Sequence, residues 1–359
     1  MGTAINRRRF VRHSSDIDYS KMYLTIVSLE DNNSISLISA KVSTPGNTTS
    51  TTYSSPISST QKTIYVSTDN GETWVAKTSS FNNQLGTELA VLNNGDKLLL
   101  KGNNSGYGGG NSLTSSDLKT NRNILSSTGN FDLQGNIMSL INGDNFIDGE
   151  TDMQERAFQQ LFFNCTHLIH AHNLILPSMV LTRSIYSRTF EHCINLITGP
   201  RQLPSTSINV PYVYDNMFRN CDSLIEAMDI LPSTNLYESC YSSMFYNCTS
   251  LTKAPELPST TLAIACYQNM FSGCTSLTKA PELPSTILVK TCYEYMFDRC
   301  ASLNYIKCMA TNISASNCTT SWVSAVSKNG IFVKNANMAS WTRSTSGIPT
   351  GWTIEDYTE

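Results

Sequence analysis

The chain reads as two architectures in series. An all-β N-terminal domain is followed by a solenoid of short parallel strands and short helical turns, closed by a C-terminal cap. Three observations predict this. The run Cys248-Thr249-Ser250-Leu251-Thr252-Lys253-Ala254-Pro255-Glu256-Leu257-Pro258 returns letter for letter at Cys274. A fixed period of this size marks stacked coils. All eleven cysteines lie at 165 or later, so the composition steps near residue 150. Ahead of that step, apolar and polar residues alternate as they do in half-buried strands.

Taken in order, residues 1–20 are a polar, basic tail with Arg7, Arg8, Arg9, Phe10 and Arg12. The Arg7-Arg8-Arg9 run is followed by Ser14-Ser15-Asp16 and not by an apolar core, so it is not read as an export signal. The tail is either a disordered end or an anchor peptide docking into a neighbouring subunit. Across the whole chain, no stretch reaches the ~18 apolar residues of a membrane span.

Residues 21–150 read as β. Strands are expected at Tyr23–Leu29 and Lys62–Ser67, and a hairpin at Leu89–Leu92 and Lys97–Lys101 across Asn93-Asn94-Gly95-Asp96. One or two more strands are expected in Phe131–Ile141, with a Ser/Thr/Pro-rich loop at 41–61. The Gly-rich loop 102–111 lacks the G-K-[ST] of a phosphate loop. Ser67-Thr68-Asp69-Asn70-Gly71-Glu72-Thr73-Trp74 matches S-x-D-x-G-x-T-W. Asn70-Gly71 favours a tight turn, Asp69 is suited to accept backbone N–H groups there, and Trp74 packs beneath. The motif resembles the Asp-box of sialidases, which carry several boxes and an arginine triad. Here Ser67, Asp69, Gly71 and Trp74 form a single box with no recognisable triad, and a stapled hairpin is the expectation.

Residues 151–323 hold six units. The inner cysteines are Cys165, Cys193, Cys221, Cys248, Cys274 and Cys300, at steps of 28, 28, 27, 26 and 26 residues. Three residues before them stand Phe162, Phe190, Phe218, Phe245, Phe271 and Phe297. Three residues after stand Leu168, Leu196, Leu224, Leu251, Leu277 and Leu303. Stacking turns each column into a ladder, and a buried Phe or Leu contributes about 1.5–3 kcal/mol. A lone coil cannot bury both faces of its ladder, so the coils must stack. Short helical turns are expected near Tyr241–Phe245 and extended segments near Leu251–Leu257. Pro200, Pro255 and Pro281 lack a ladder N–H and should interrupt that extended spine. The cysteines are read as buried thiols stacked as small apolar residues; a disulfide ladder is the alternative. His167, His170, His172 and His192 fall in the first coils, but the later coils carry Lys253, Pro255, Lys279 and Pro281 in place of His170 and His172. No metal or cofactor is expected. After Cys318 the pattern breaks. Trp322-Val323 takes the Met-Phe place in a last half-turn, and 324–359 is read as the cap, with strands at Ile331–Val333 and Gly351–Ile354.

The motif F-x-x-C-x-x-L, followed by a proline-bearing extended run over roughly 155–323, resembles the leucine-rich repeats of the BspA-like, Treponema-type class. Its flavour, M-F-x-x-C-T-S-L-x-x-A-P-E-L-P, is that of gut Bacteroidales surface proteins and of the crAss-like phages that infect them. The resemblance implies a non-catalytic binding or display solenoid.

Charged residues are 15% of the chain and the formal net charge is −3, which gives no electrostatic reason to expect nucleic acid. No nucleophile–base pair, H-E-x-x-H motif or dinucleotide fingerprint occurs, so no enzyme is expected. The expected function is a structural display protein on a virion surface, a head or tail appendage. Its N-terminal region would join a virion or surface protein, and its solenoid would meet a host protein or glycan; homo-oligomerisation is left open. A bacterial cell-surface adhesin is the first alternative. A glycan-active enzyme, resting only on the lone Asp-box, is the second.

Overall fold

The computed structural model describes residues 17–43, 52–54, 61–80, 86–107, 120–148, 153–176, 181–204, 207–338 and 341–357. The anchor candidates Arg7, Arg8, Arg9, Phe10 and Arg12 lie outside them. The described residues are mostly β, in several sheets, and among them no sheet closes into a barrel.

The N-terminal strands are β1 (Leu24–Ser28), β2 (Asn33–Ser43), β3 (Thr52–Ser54), β4 (Thr63–Ser67), β5 (Val75–Thr78), β6 (Thr87–Leu92), β7 (Lys97–Lys101), β8 (Thr120–Ser127) and β9 (Phe131–Asn136). A one-turn helix α1 (Ser139–Asn142) follows. β10 (Leu168–Ile175) lies in the first repeat, and β11 (Tyr305–Cys308), β12 (Ile331–Asn335) and β13 (Thr353–Tyr357) lie near the C-terminus. One sheet has the order β10-β9-β1-β7-β4-β5, and a second has β3-β2-β6 with β8 also paired to β2. The apolar alternation of the strands feeds one core. Leu24, Ile26, Leu98 and Leu100 of the first sheet share it with Ile35, Leu37, Leu89 and Leu125 of the second.

The expected hairpin at 89–101 is a different object. β6 pairs with β2 and β7 pairs with β1 and β4, so the two strands lie in different sheets. The turn itself is tight, with Asp96 N–H donating to the Asn93 carbonyl (3.0 Å). It carries the chain from one sheet to the other because Leu89, Leu92, Leu98 and Leu100 must all reach the core between them. β2 and β8 went unrecognised in the sequence, and the Phe131–Ile141 segment ends in α1 instead of a second strand.

In the repeats, the turn side is not helical. The N–H groups of Ser239, Tyr241, Ser243, Phe245 and Asn247 donate to carbonyls one coil on, at 2.8–3.1 Å. Those of Cys240, Ser242, Met244, Tyr246 and Cys248 donate to the carbonyl three residues back. A helix would use every N–H within its own segment; here half of them tie coil to coil. The geometry requires a positive φ at every fourth residue, 52° at Ser239, 52° at Ser243 and 56° at Asn247. Asparagine tolerates that region best among residues with a side chain, and Asn164, Asn216, Asn220, Asn247, Asn269 and Asn317 all occupy it. The same period of four points Cys240, Tyr241, Met244, Phe245 and Cys248 inward, where all are fully buried.

The opposite side is looser. β10 and β11 are strands, and between them the described coils meet in isolated parallel bridges such as His170↔Thr198, Thr198↔Glu226, Ile230↔Glu256 and Lys279↔Tyr305. No strand spans Leu251–Leu257, because Pro255 interrupts it and Glu256 makes a single bridge.

Both ends of the stack are covered. β9 pairs in parallel with β10, and Leu125 N–H of β8 donates to the Leu161 carbonyl (2.9 Å). Arg122, 2% exposed, donates to Gln160 Oε1 (2.7 Å) and Gln159 Oε1 (2.9 Å). At the other end the alternating bonds continue through Ser324, and positive φ recurs at Asn317, Ser321 and Ala325. β11, β12 and β13 form a parallel sheet beside it. Tyr186, Tyr214, Tyr241, Tyr267 and Tyr293 stack in a column of their own, which Trp322 closes at 6.2 Å from Tyr293; Trp322 lies 5.7 Å from Trp341 and its Nε1–H donates to the Gly347 carbonyl (2.8 Å). The buried core runs unbroken from Leu24 to Trp352. Among the described residues no helix is long and apolar enough to cross a membrane.

Candidate binding surface

The repeated columns face inward. The rings of Phe162, Phe190, Phe218, Phe245, Phe271 and Phe297 stack at 5.4–5.7 Å, with successive planes within 10° of parallel. Leu168, Leu196, Leu224, Leu251, Leu277 and Leu303 are buried beside them.

The cysteines have a role that spacing alone did not reveal. Every described thiol is free and buried. The Cys193 Sγ–H donates to the Phe162 carbonyl (3.0 Å), Cys221 to Phe190 (3.1 Å), Cys248 to Phe218 (3.1 Å), Cys274 to Phe245 (3.1 Å) and Cys300 to Phe271 (3.0 Å). The carbonyls of Phe190, Phe218, Phe245 and Phe271 also accept the N–H of the cysteine three residues on in their own coil. F-x-x-C is thus a local turn and an inter-coil clasp at once. Cys165 has no repeat before it, and its thiol donates to the Leu125 carbonyl of β8 instead. Burial pushes the thiols up, to about 12 for Cys240, Cys300 and Cys308, which keeps them protonated and unreactive.

The outward columns are less constant than the inward ones. The fifth residue after each inner cysteine is His170, Thr198, Glu226, Lys253, Lys279 and Tyr305 in turn. A shallow groove of about 710 Å³ follows the stack on this side, floored by Ile169, Ile197 and Ile225 and flanked by Asn195, Ser223 and Ser250. Ile225 is 47% exposed. A second hollow of about 550 Å³ lies between two later coils, with Lys253, Glu256, Lys279 and Glu282 around Pro258 and Pro281. Lys253 reaches back to Asp229 (2.6 Å), and the ammonium of Lys279 lies 5.0 Å from the Tyr305 ring. On the turn edge, Asn247 Nδ2 donates to Asn220 Oδ1 (3.1 Å), and Asn220 Nδ2 lies 3.3 Å from His192 Nε2. Glu191 is buried between Arg188 (3.3 Å) and Arg219 (3.8 Å), and burial raises the nearby Asp215 carboxyl to about 6.

The Asp-box residues sit at the β4–β5 turn. Ser67 Oγ donates to Asp69 Oδ1 (2.6 Å) and accepts the Gly71 N–H (2.9 Å), while Asp69 Oδ1 accepts the Thr73 N–H (3.0 Å). The Ser67 hydroxyl foremost holds the Asp69 carboxyl well below the usual carboxylate range. Trp74 Nε1–H donates to the Gly71 carbonyl (3.1 Å), and the indole packs on Tyr23 (5.0 Å) with the Lys101 ammonium 4.0 Å from its centre. Gly71 has φ +92° at this turn, a conformation open to glycine. His170 Nδ1 and His172 Nδ1 both face Thr198 Oγ1, at 2.9 and 3.4 Å. Among the described residues no group of three His, Cys, Asp or Glu is placed to hold a metal ion.

Residues 152–265 and 183–321 match the family model of the BspA type leucine rich repeat region, in six copies. The repeats are similar to that type. Together the matches cover a little under half of the chain. No curated protein and no solved structure matches it. BspA-type leucine-rich repeats point to a surface or protein-binding role. The inner ladder of these repeats stands out in the sequence, and of the outer columns only those of His170 and His172 do, as candidate metal ligands. Ile169, Ile197 and Ile225 stand four residues after consecutive inner cysteines, a signal that aligning the units would have exposed.

Proposed function

We propose that the chain is a non-catalytic display protein in which the leucine-rich repeats form a solenoid that presents a recognition surface, carried on a virion. The observation that carries the reading is the contrast between columns. Interior positions repeat from coil to coil, whereas the fifth position, exposed at Glu226, Lys253 and Lys279 and half-buried at the others, runs through His170, Thr198, Glu226, Lys253, Lys279 and Tyr305. A constant inside with a varied outside is how a repeat scaffold makes a specific extended surface. A bacterial cell-surface adhesin uses the same architecture and is the second reading, favoured equally by the similarity to BspA-type repeats. The Asp-box bonds staple a hairpin in both readings.

The basic tail is the proposed anchor, with Arg7, Arg8, Arg9 and Arg12 supplying charge-assisted hydrogen bonds to a partner subunit and Phe10 an apolar contact. Antibody labelling of purified particles and of uninfected cells tests the location. Label on particles supports the virion reading; label confined to the cell envelope replaces it with the adhesin. A chain lacking residues 1–20 should fold and fail to enter its parent assembly, and normal incorporation would remove the anchor.

A further inference from the structure

The groove on the sheet side has a chemistry that narrows its ligand. It extends from the coil of Ile169 to that of Ser276. That is four steps of 5.4 to 5.6 Å, about 22 Å along the stack. No residue lining it is ionisable: the lining is isoleucine, serine, threonine and asparagine. Asn130 and each coil from Asn195 to Ser276 contribute a hydroxyl or amide, and the first three coils contribute the aliphatic surface of Ile169, Ile197 and Ile225.

Its backbone donors are largely occupied. The N–H groups of Ile197, Ile225, Ser223, Ser250 and Ser276 donate to carbonyls of the preceding coil at 2.8–3.2 Å. A peptide added as a strand needs free main-chain groups on the receiving surface, and these are taken. The lining also has no tryptophan, tyrosine or arginine, the side chains that anchor protein partners. What remains is recognition by uncharged side-chain hydroxyls and amides set in line along the stack, beside aliphatic surface in its first three coils.

We propose that this groove binds a neutral polysaccharide chain lying along the stack. Apolar C–H faces of the sugars rest on Ile169, Ile197 and Ile225, and sugar hydroxyls exchange hydrogen bonds with Asn195, Ser223, Ser250 and their neighbours. The proposal rests on the repeats being a binding surface and names the ligand class and the place. It is independent of whether a virion or a cell carries the chain.

The test is affinity gel electrophoresis of the full chain in gels containing xyloglucan, glucomannan or α-mannan. Polygalacturonate and heparin serve as charged polymers and deglycosylated mucin as a protein probe. At least one neutral polymer should retard the chain, with retardation unchanged in high salt. Affinity for its oligomers should rise with length until they span the groove and then level. Ile225→Lys and Thr252→Lys, both at exposed positions, should each weaken binding about tenfold or more, a change of about 1.4 kcal/mol, with thermal melting unchanged. Retardation only by charged polymers, or no retardation by any neutral polymer, would overturn the proposal. So would neutral-polymer binding that survives both substitutions. Binding of deglycosylated mucin alone, lost in Ile225→Lys, would overturn the sugar and leave the repeats as a protein-binding surface.

Discussion

The two long sides of the repeat stack are built on opposite rules. On the turn side, every second N–H from Ser239 to Asn247 bonds to the next coil, φ is positive every fourth residue, and the Phe and Cys columns interlock behind it. On the sheet side the inter-coil bonds are irregular: Ile197, Ile225, Ser250 and Ser276 each donate to the preceding coil, but between β10 and β11 the bridges stay isolated, and Pro200, Pro255 and Pro281 stand where ladder donors would be. The denser and more regular set of inter-coil bonds, and with it most of the register, is on the turn side. The sheet side carries fewer inter-coil bonds, and its fifth position varies from His170 to Tyr305 with only Lys253 and Lys279 alike.

The comparison breaks most visibly in the ladder. Phe271→Ala, which opens a hole between Phe245 and Phe297, should lower stability by about 3–5 kcal/mol in chemical denaturation. A loss below about 1 kcal/mol would not fit a ring in a packed stack.

Proline sharpens the contrast between sides. Asn269→Pro removes the bond to the Glu294 carbonyl (2.8 Å) and opposes a φ of +55°, and should destabilise by about 3 kcal/mol or more. Met228→Pro, in the column of Pro200, Pro255 and Pro281, should be far milder. Denaturant midpoints of the two variants, compared side by side, decide this; equal losses would mean the sheet side holds register as well.

The thiols give a pH dependence. Folding raises Cys240, Cys300 and Cys308 from the ordinary 9.0 to about 12. A group held protonated by the fold contributes fully below its unfolded pKa and loses that contribution as pH rises toward the folded one. The urea midpoint should stay flat up to about pH 9 and fall steadily above it. A rise in that window would contradict the burial of the thiols.

Smaller still is the clasp itself. Cys274→Ala removes one donor to the Phe245 carbonyl, which retains the Cys248 N–H, so the acceptor is not orphaned and the loss should be about 1 kcal/mol. Cys274→Ser, which keeps a donor, should recover part of it in the same denaturation assay.

How much of this was legible in the sequence follows from what each residue must do. Phe245, Cys248 and Leu251 recur because stacking places copies on top of one another, so period alone exposed them. The turn geometry was not legible, because Tyr241–Phe245 carries apolar residues at i and i+4, as a helix would. The signal against a helix was Asn at positions such as 216, 220, 247 and 269, which the positive φ favours. The segment Lys97–Lys101 was readable as a strand from its alternation, but its partner was not. Asn94-Gly95 makes a tight turn whether the chain folds back in one sheet or crosses to another, and only the demand that Leu89, Leu92, Leu98 and Leu100 meet decides it. The groove was hidden for another reason: its residues are ordinary singly and gain meaning only once the coils place them in line.

Amide hydrogen exchange resolved along the chain tests the central claim most directly. If the turns hold the stack, the inter-coil amides of Tyr241, Ser243, Phe245 and Asn247, with their counterparts Tyr267, Asn269, Phe271 and Gly273, should exchange only through global unfolding. The sheet-side amides of Thr252–Ala254, ahead of the Glu256 N–H that bonds to the Asp229 carbonyl (2.8 Å), should open locally and exchange orders of magnitude faster. Equal protection on both sides, or slower exchange on the sheet side, would contradict the account.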